Sequence, residues 1–256
     1  MASKHESLEA LFTDIADAIR EKTGDTETIP AAEFPSMIRE KFETSPPPPP
    51  LPYLTFRSPN SFTLKVNDTA KHWDGTLEYS TDTTTWSTWD GTTTLSSATS
   101  GSDNVMYLRG TGNTVITGNN SNYRWVLTGS NIKCIGNIET LLDYATVESG
   151  VHPTMTDQCY YSMFDDCTSL IQAPALPATT LAASCYNRMF YGCTSIKLSV
   201  TRTGEYTQEY RIPSSGTGTT VIGDFANMFA STGGTFTGTP EINTTYYLSN
   251  TNTVVG

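Results

Sequence analysis

One nine-residue phrase occurs twice in this chain. "CYYSMFDDC" at 159–167 returns as "CYNRMFYGC" at 185–193, an interval of 26 residues. Five positions keep their letter: Cys159/Cys185, Tyr160/Tyr186, Met163/Met189, Phe164/Phe190 and Cys167/Cys193. On a helix of about 100° per residue, the kept positions fall inside an arc of about 140° and the changed ones lie opposite. The pattern predicts a short amphipathic helix with the kept letters buried. A unit that buries one stripe and recurs at this interval predicts a turn of a solenoid.

The array is short. "NIETLLDY" reads as an earlier half-turn, with Leu141 and Leu142 capping the first helix. "DFANMFAST" reads as a degenerate third turn: Met228 and Phe229 match Met189 and Phe190, while Asp224 and Thr232 stand where the cysteines stood. Fewer apolar letters suit a terminal turn, one side of which meets water. Leu170 and Ile196, after each second cysteine, are expected to start the strand side. The third turn follows the second by 39 residues. "IKLSVTRTGEYTQEYRIP" is predicted to fill that insertion as a β-hairpin.

The C-x7-C spacing lacks the close pairs of a zinc site, and the histidines (His5, His72 and His152) lie elsewhere. Disulfide or redox use is the alternative. The favoured reading is small apolar filler, since free cysteine is among the most buried residue types. Cys134 reads the same way.

Upstream, "SLEALFTDIADAIREKTG" places Leu8, Leu11, Phe12, Ile15 and Ile19 on one helical face, and Phe34, Ile38 and Phe42 recur four apart in a second helix. Residues 1–44 are therefore expected to form a helical anchor. "SPPPPPLP" at 45–52 is a polyproline spacer, with a ligand for a proline-reading domain as the alternative. Residues 53–133 carry short β-branched and aromatic runs between Gly, Asn and Asp, which predicts a small β-sandwich. Residues 134–256 are the repeat region. The expected fold class is multidomain α+β: helical anchor, all-β sandwich, and a short leucine-rich-repeat-like α/β solenoid with a β-hairpin insertion.

Composition narrows function. The net charge is -11, with 10 acids against 5 bases in residues 1–45, which argues against nucleic acid. Neither a secretory signal nor a run of about 18 apolar residues is visible. Export by lysis or inside a larger particle fits that start.

The stretch "CYYSMFDDCTSLIQAPALPATTLAASCYNRMFYGCTSI" resembles the BspA-like leucine-rich repeats of surface proteins of gut bacteria and their phages. "NYRWVLTGSNIKCIGNIETLLDY" is similar to the lead-in of such arrays, and "LFTDIADAIREKTGDTETIPAAEFPSMI" to N-terminal segments of phage virion proteins. The resemblance implies a virion structural protein without enzymatic activity or cofactor: a tail fibre, baseplate part or head decoration. Residues 1–44 would dock on other virion proteins and the rest would project, in an oligomer, toward a bacterial surface glycan or protein. A part contacting only virion proteins, and a bacterial surface adhesin, are the alternatives.

Catalysis has little to stand on. Asp165 and Asp166 are adjacent, but the second copy replaces them with Tyr191 and Gly192. Candidate ligand contacts are Trp73, Trp86 and Trp89 near turns of the sandwich, and Tyr161 and Tyr191 on the outward side of the repeat, since aromatic faces favour sugar and protein contacts. The competing reading places some of the tryptophans in the core.

Overall fold

Fourteen strands, one broken α-helix and a single 3-10 turn (Ser121–Tyr123) build the described part of the molecule. The computed structural model describes residues 53–250 apart from Thr69. The predicted anchor face (Leu8, Leu11, Phe12, Ile15, Ile19, Phe34, Ile38, Phe42) and the polyproline segment lie outside the described residues.

Alternating apolar letters make the first half. β1 (Leu54–Ser58), β3 (Thr76–Ser80), β4 (Ser87–Trp89), β6 (Ala98–Ser100), β7 (Asp103–Thr111), β9 (Ile132–Ile135) and β10 (Leu170–Gln172) form one sheet, ordered β10-β9-β1-β7-β3-β4 with β6 on β7. β2 (Thr63–Val66), β5 (Leu95–Ser96) and β8 (Trp125–Thr128) form a second, smaller sheet. Leu54, Phe56, Leu77, Met106 and Leu108 bury from the first sheet, and Leu64, Trp125 and Leu127 from the second. Their burial at alternate positions is what a strand's two-residue period demands of a half-buried sheet. α1 (Thr140–Glu148), broken at Asp143, packs on β7.

The repeats correct the expected fold class. Their nine-residue phrases form no helix, and α1 is the only α-helix among the described residues. Each phrase is a ribbon of tight turns. In the first, the Tyr161, Met163, Asp165 and Cys167 N–H groups donate three residues back, to Gln158, Tyr160, Ser162 and Phe164. The alternate N–H groups, of Tyr160, Ser162, Phe164 and Asp166, donate to the carbonyls of Cys185, Asn187, Met189 and Tyr191 in the next copy, at 2.8–2.9 Å. The second copy repeats the scheme onto Asp224, Ala226, Met228 and Ala230. Every fourth residue is left-handed: Gln158, Ser162 and Asp166, then Ser184, Arg188 and Gly192, then Gly223, Asn227 and Ser231. A backbone so placed cannot be an α-helix, whose residues are all right-handed. The true period is four, not 3.6. Nine residues are too few to separate the two, because both put the kept letters on one side. The α/β solenoid is thus a stack of three turn-ribbon rungs in a mostly β molecule.

The predicted hairpin is also corrected. β11 (Lys197–Ser199) and β12 (Tyr206–Arg211) do not pair; β14 (Thr245–Ser249) lies between them, antiparallel to both, and β13 (Gly233–Gly234) completes the order β12-β14-β11-β13. Tyr246 and Leu248 of β14 supply the buried positions there, an alternation near the chain's end that local reading of 196–213 does not contain.

The sheets and the stack share one core. The Phe164 ring meets Phe56 and Trp125 edge-on, at 6.0 and 6.1 Å between centroids. Two columns of rings run through the rungs, and Phe164 heads one of them. Tyr160, Tyr186 and Phe225 stack at 5.6 and 5.9 Å, and Phe164, Phe190 and Phe229 at 5.6 and 5.3 Å.

Both ends of the stack are closed. On the sheet side, the Ile116, Thr117 and Trp125 N–H groups donate to the Cys159 and Met163 carbonyls. On the far side, Gly238 O and Thr239 Oγ1 accept the Phe229 and Asn227 N–H groups, and the Asp224 carboxylate accepts those of Phe225 and Val221. Asp224 stands at the cysteine's place in the last rung because there the backbone needs an acceptor that no further rung supplies.

Candidate functional site

The cysteines belong to the interior. Cys134, Cys159, Cys167, Cys185 and Cys193 are free thiols and all are buried. Burial pushes each thiol pKa up, to about 12 for Cys167 and Cys185. A thiol held protonated is a poor nucleophile and a poor metal ligand. Cys193 Sγ donates to Phe164 O at 3.0 Å and Cys167 Sγ to Trp125 O at 3.1 Å, so these thiols occupy carbonyls one layer back. Tyr160, Met163, Phe164, Tyr186, Met189 and Phe190 surround them and are themselves buried. No group of three metal-ligating side chains occurs among the described residues.

The tryptophans part company. Trp73 and Trp89 are 3% and 1% exposed, and their rings pack at 5.1 Å in the core with Trp125 beyond. Neither reaches a surface ligand. Trp86 alone is half-buried, and it belongs to a cluster on the outer side of the large sheet.

That cluster is built around Arg109. Alternation along β7 turns Leu108 inward and Arg109 outward, and sheet register sets Arg109 opposite Glu78 of β3. Arg109 Nε meets Glu78 Oε2 at 2.8 Å, the side chains being 17% and 27% exposed. The guanidinium carbon lies 4.0 Å from the Trp86 ring centroid, 4.4 Å from that of Tyr144 and 6.0 Å from that of Tyr53. Tyr53 meets Trp86 edge-on at 5.0 Å and Tyr144 at 6.1 Å. Burial opposes the charge, but the contacts with Glu78 and Tyr53 outweigh it and raise the guanidinium pKa. Stacking and ion pairing together hold the cation in one orientation.

Local chemistry fixes each ring. Trp86 Nε1 donates to Thr83 O at 3.1 Å, at the end of a loop where Asp82 Oδ1 accepts the Thr84 and Thr85 N–H groups. Those backbone donors hold the Asp82 carboxyl well below its ordinary pKa. Tyr144 arrives because α1 lies tight on β7 at Gly110, where a Cβ would sit 1.7 Å from the Leu141 carbonyl oxygen. Asn113 Nδ2 donates to that oxygen and to Thr76 O, tying α1 to the sheet.

Tyr161 and Tyr191 are half-buried on the outer side of the rungs, in different columns. Arg188 lies 3.7 Å over the Tyr191 ring and pairs with Asp165 at 3.0 Å. Asp165 is 3% exposed; burial raises its pKa against the opposing pull of Arg188. It is the buried partner of Arg188.

Of the five predicted contacts, Trp86, Tyr161 and Tyr191 keep solvent-facing positions, but they do not converge. The residues that do converge with Trp86 are Tyr53, Glu78, Arg109 and Tyr144, and sequence reading missed these four. The signal for Arg109 was available in "NVMYLRG", whose alternation turns it outward. The signal for its partners was not, because they come from separate elements. No family model, curated protein or solved structure matches the chain. No helix among the described residues is long and apolar enough to cross a membrane.

Proposed function

We propose that the chain is a non-enzymatic component of a phage particle, held there through residues 1–44, whose body at 53–250 serves attachment to the bacterial surface. The observation that carries the attachment reading is the Arg109 cluster. It is a fixed guanidinium between two rings, on the outer face of a body whose thiols are all committed to packing. Aromatic rings and arginine are the side chains that dominate recognition surfaces. The resemblance of the N-terminal segment to virion proteins, and the proline-rich spacer, support carriage on a particle.

Two measurements test this. Mass spectrometry and immunogold labelling of particles from a lysate are expected to find the chain, with the body outermost; its absence from particles overturns the virion reading. Fluorescently labelled chain is expected to bind host cells selectively over non-host cells, and Trp86→Ala is expected to reduce that binding. Presence in particles without selective cell binding would instead favour a part that contacts only other virion proteins.

A further inference from the structure

The same solvent face of the large sheet carries a second charged pair, of opposite design. Arg57 of β1 and Lys133 of β9 are directly opposite in the antiparallel register. Like charges so placed repel. On the neighbouring pair of strands, Glu78 faces Arg109 and the charges cancel. Asp103 takes Arg57 Nε at 3.0 Å, and the Arg57 side chain stays 48% exposed. Among the described residues no carboxylate pairs with Lys133.

This pair borders an open cleft of about 500 Å³. The volume falls in the range of roughly 300–1,000 Å³ typical of small-molecule sites. Beyond Arg57, Asp103 and Lys133, it is lined by the polar residues Ser58, Ser102, Asn131 and Gln172, with Pro59 and Ile135 as its apolar part. Gln172 sits opposite Lys133 on β10, just past a register shift after Leu170, so Arg57, Lys133 and Gln172 stand side by side on three adjacent strands. A chain of net charge -11 has few cations to place. With Asp103 paired to Arg57, the two cations opposite one another still leave the cleft a net charge of +1, carried by Lys133 beside the guanidinium.

We propose that this cleft binds an anionic, hydroxyl-rich ligand the size of one or two sugar rings, a sugar acid or a sugar phosphate. Its acidic group bridges Arg57 and Lys133, relieving their repulsion. The hydroxyls take the Asn131, Gln172 and Ser102 side chains, and the C–H face of a ring rests on Ile135. Asp103 orients Arg57 and does not touch the anion. The proposal goes beyond the attachment reading and stands whether or not the chain is carried on a particle, because solution binding tests the cleft and particle composition does not.

The experiment is calorimetric titration of the full chain with digalacturonate, glucose 6-phosphate and cellobiose. At least one of the two anions is expected to bind, more weakly as salt is raised, while neutral cellobiose does not. Binding of digalacturonate alone identifies a carboxylate ligand, and binding of the phosphate alone a phosphate ligand; either supports the site. Lys133→Gln is expected to weaken binding about tenfold or more and to leave the thermal midpoint equal or higher. Arg57→Gln supplies an independent variant, and Lys65→Gln, on β2 away from the cleft, should bind as the wild type does. The proposal is overturned if cellobiose binds as well as the anions, if neither anion binds, or if binding survives both cleft variants.

Discussion

The two halves of the body hold themselves together differently. In the sheets, each strand is fixed by partners far away in sequence: β1 lies between β7 and β9, and the rings of Trp89, Trp125 and Phe164 meet edge-on. In the stack, each rung is fixed by the next copy of itself, through backbone bonds and through rings that lie parallel within about 10–20°. Edge-on rings tolerate varied angles, whereas a parallel column needs a six-membered ring, Tyr or Phe, at the same place each time. The sheets therefore vary their aromatic residues, and the stack repeats them. Self-similarity in sequence follows from self-similarity in contact.

The contrast breaks most visibly at the middle rung. Phe190 has a ring above and below, whereas Phe225 ends its column on Tyr186. Phe190→Ala is expected to cost about 3–5 kcal/mol in urea unfolding, and Phe225→Ala clearly less. Equal costs would mean that the columns do not act as stacks. A single unfolding transition is expected, because Phe164 joins its column to Phe56 and Trp125 of the sheets.

Asp224 tests the closed end. Restoring the repeat letter, Asp224→Cys, takes the acceptors away from the Phe225 and Val221 N–H groups. The expected loss is about 1–3 kcal/mol, read as an earlier urea midpoint and faster amide exchange over 221–232. A neutral outcome would show that the last rung needs no cap.

This end was legible in sequence. Met228, Phe229, Asp224 and Thr232 fall in register with the earlier copies, and the loss of cysteine there is the mark of a terminal layer. The conformation was not legible, for a physical reason: a nine-residue stripe does not distinguish a turn of 3.6 residues from one of four. A better signal lay in the changed letters. Four of the nine left-handed positions carry Asp166, Gly192, Gly223 and Asn227, and Gly, Asn and Asp are the residues that tolerate that region best; Gln158, Ser162, Ser184, Arg188 and Ser231 at the others dilute the signal. The sites were less legible still. Register brings Arg57 to Lys133 and Arg109 to Glu78, and register between distant strands is not written in either strand alone.

Left-handed residues separate the halves again. In the sheets they sit singly, at exposed turns such as Asn131, whereas in the stack they recur at every fourth residue, and one of them, Ser162, is buried with its hydroxyl unpartnered. Ser162→Gly removes both the strain and the orphan hydroxyl. It is expected to gain up to about 1 kcal/mol after glycine's own entropic cost. Ser162→Ala removes only the hydroxyl and should gain less. If alanine matches glycine, backbone strain contributes nothing at that position.

The smallest expected effect lies at the seam. Thr140 Oγ1 accepts the Leu54 N–H, so the turn into α1 is tied to β1. Beside it Glu139, 1% exposed, faces His152 at 2.8 Å, with Tyr160 and Tyr186 of the stack nearby. Glu139 Oε1 and the Tyr186 hydroxyl are both buried without a partner. Burial raises the Glu139 pKa above its ordinary 4.5, and the His152 contact only partly offsets this. The folded state thus keeps this proton to higher pH than the unfolded state does. The resulting stabilisation is complete below 4.5 and is lost as pH rises through the folded value. Glu139→Gln should remove that fall, so that its thermal midpoint, followed from acid to neutral pH, declines less steeply than that of the wild type. Parallel profiles would mean that Glu139 titrates alike in both states and that the seam carries no buried charge.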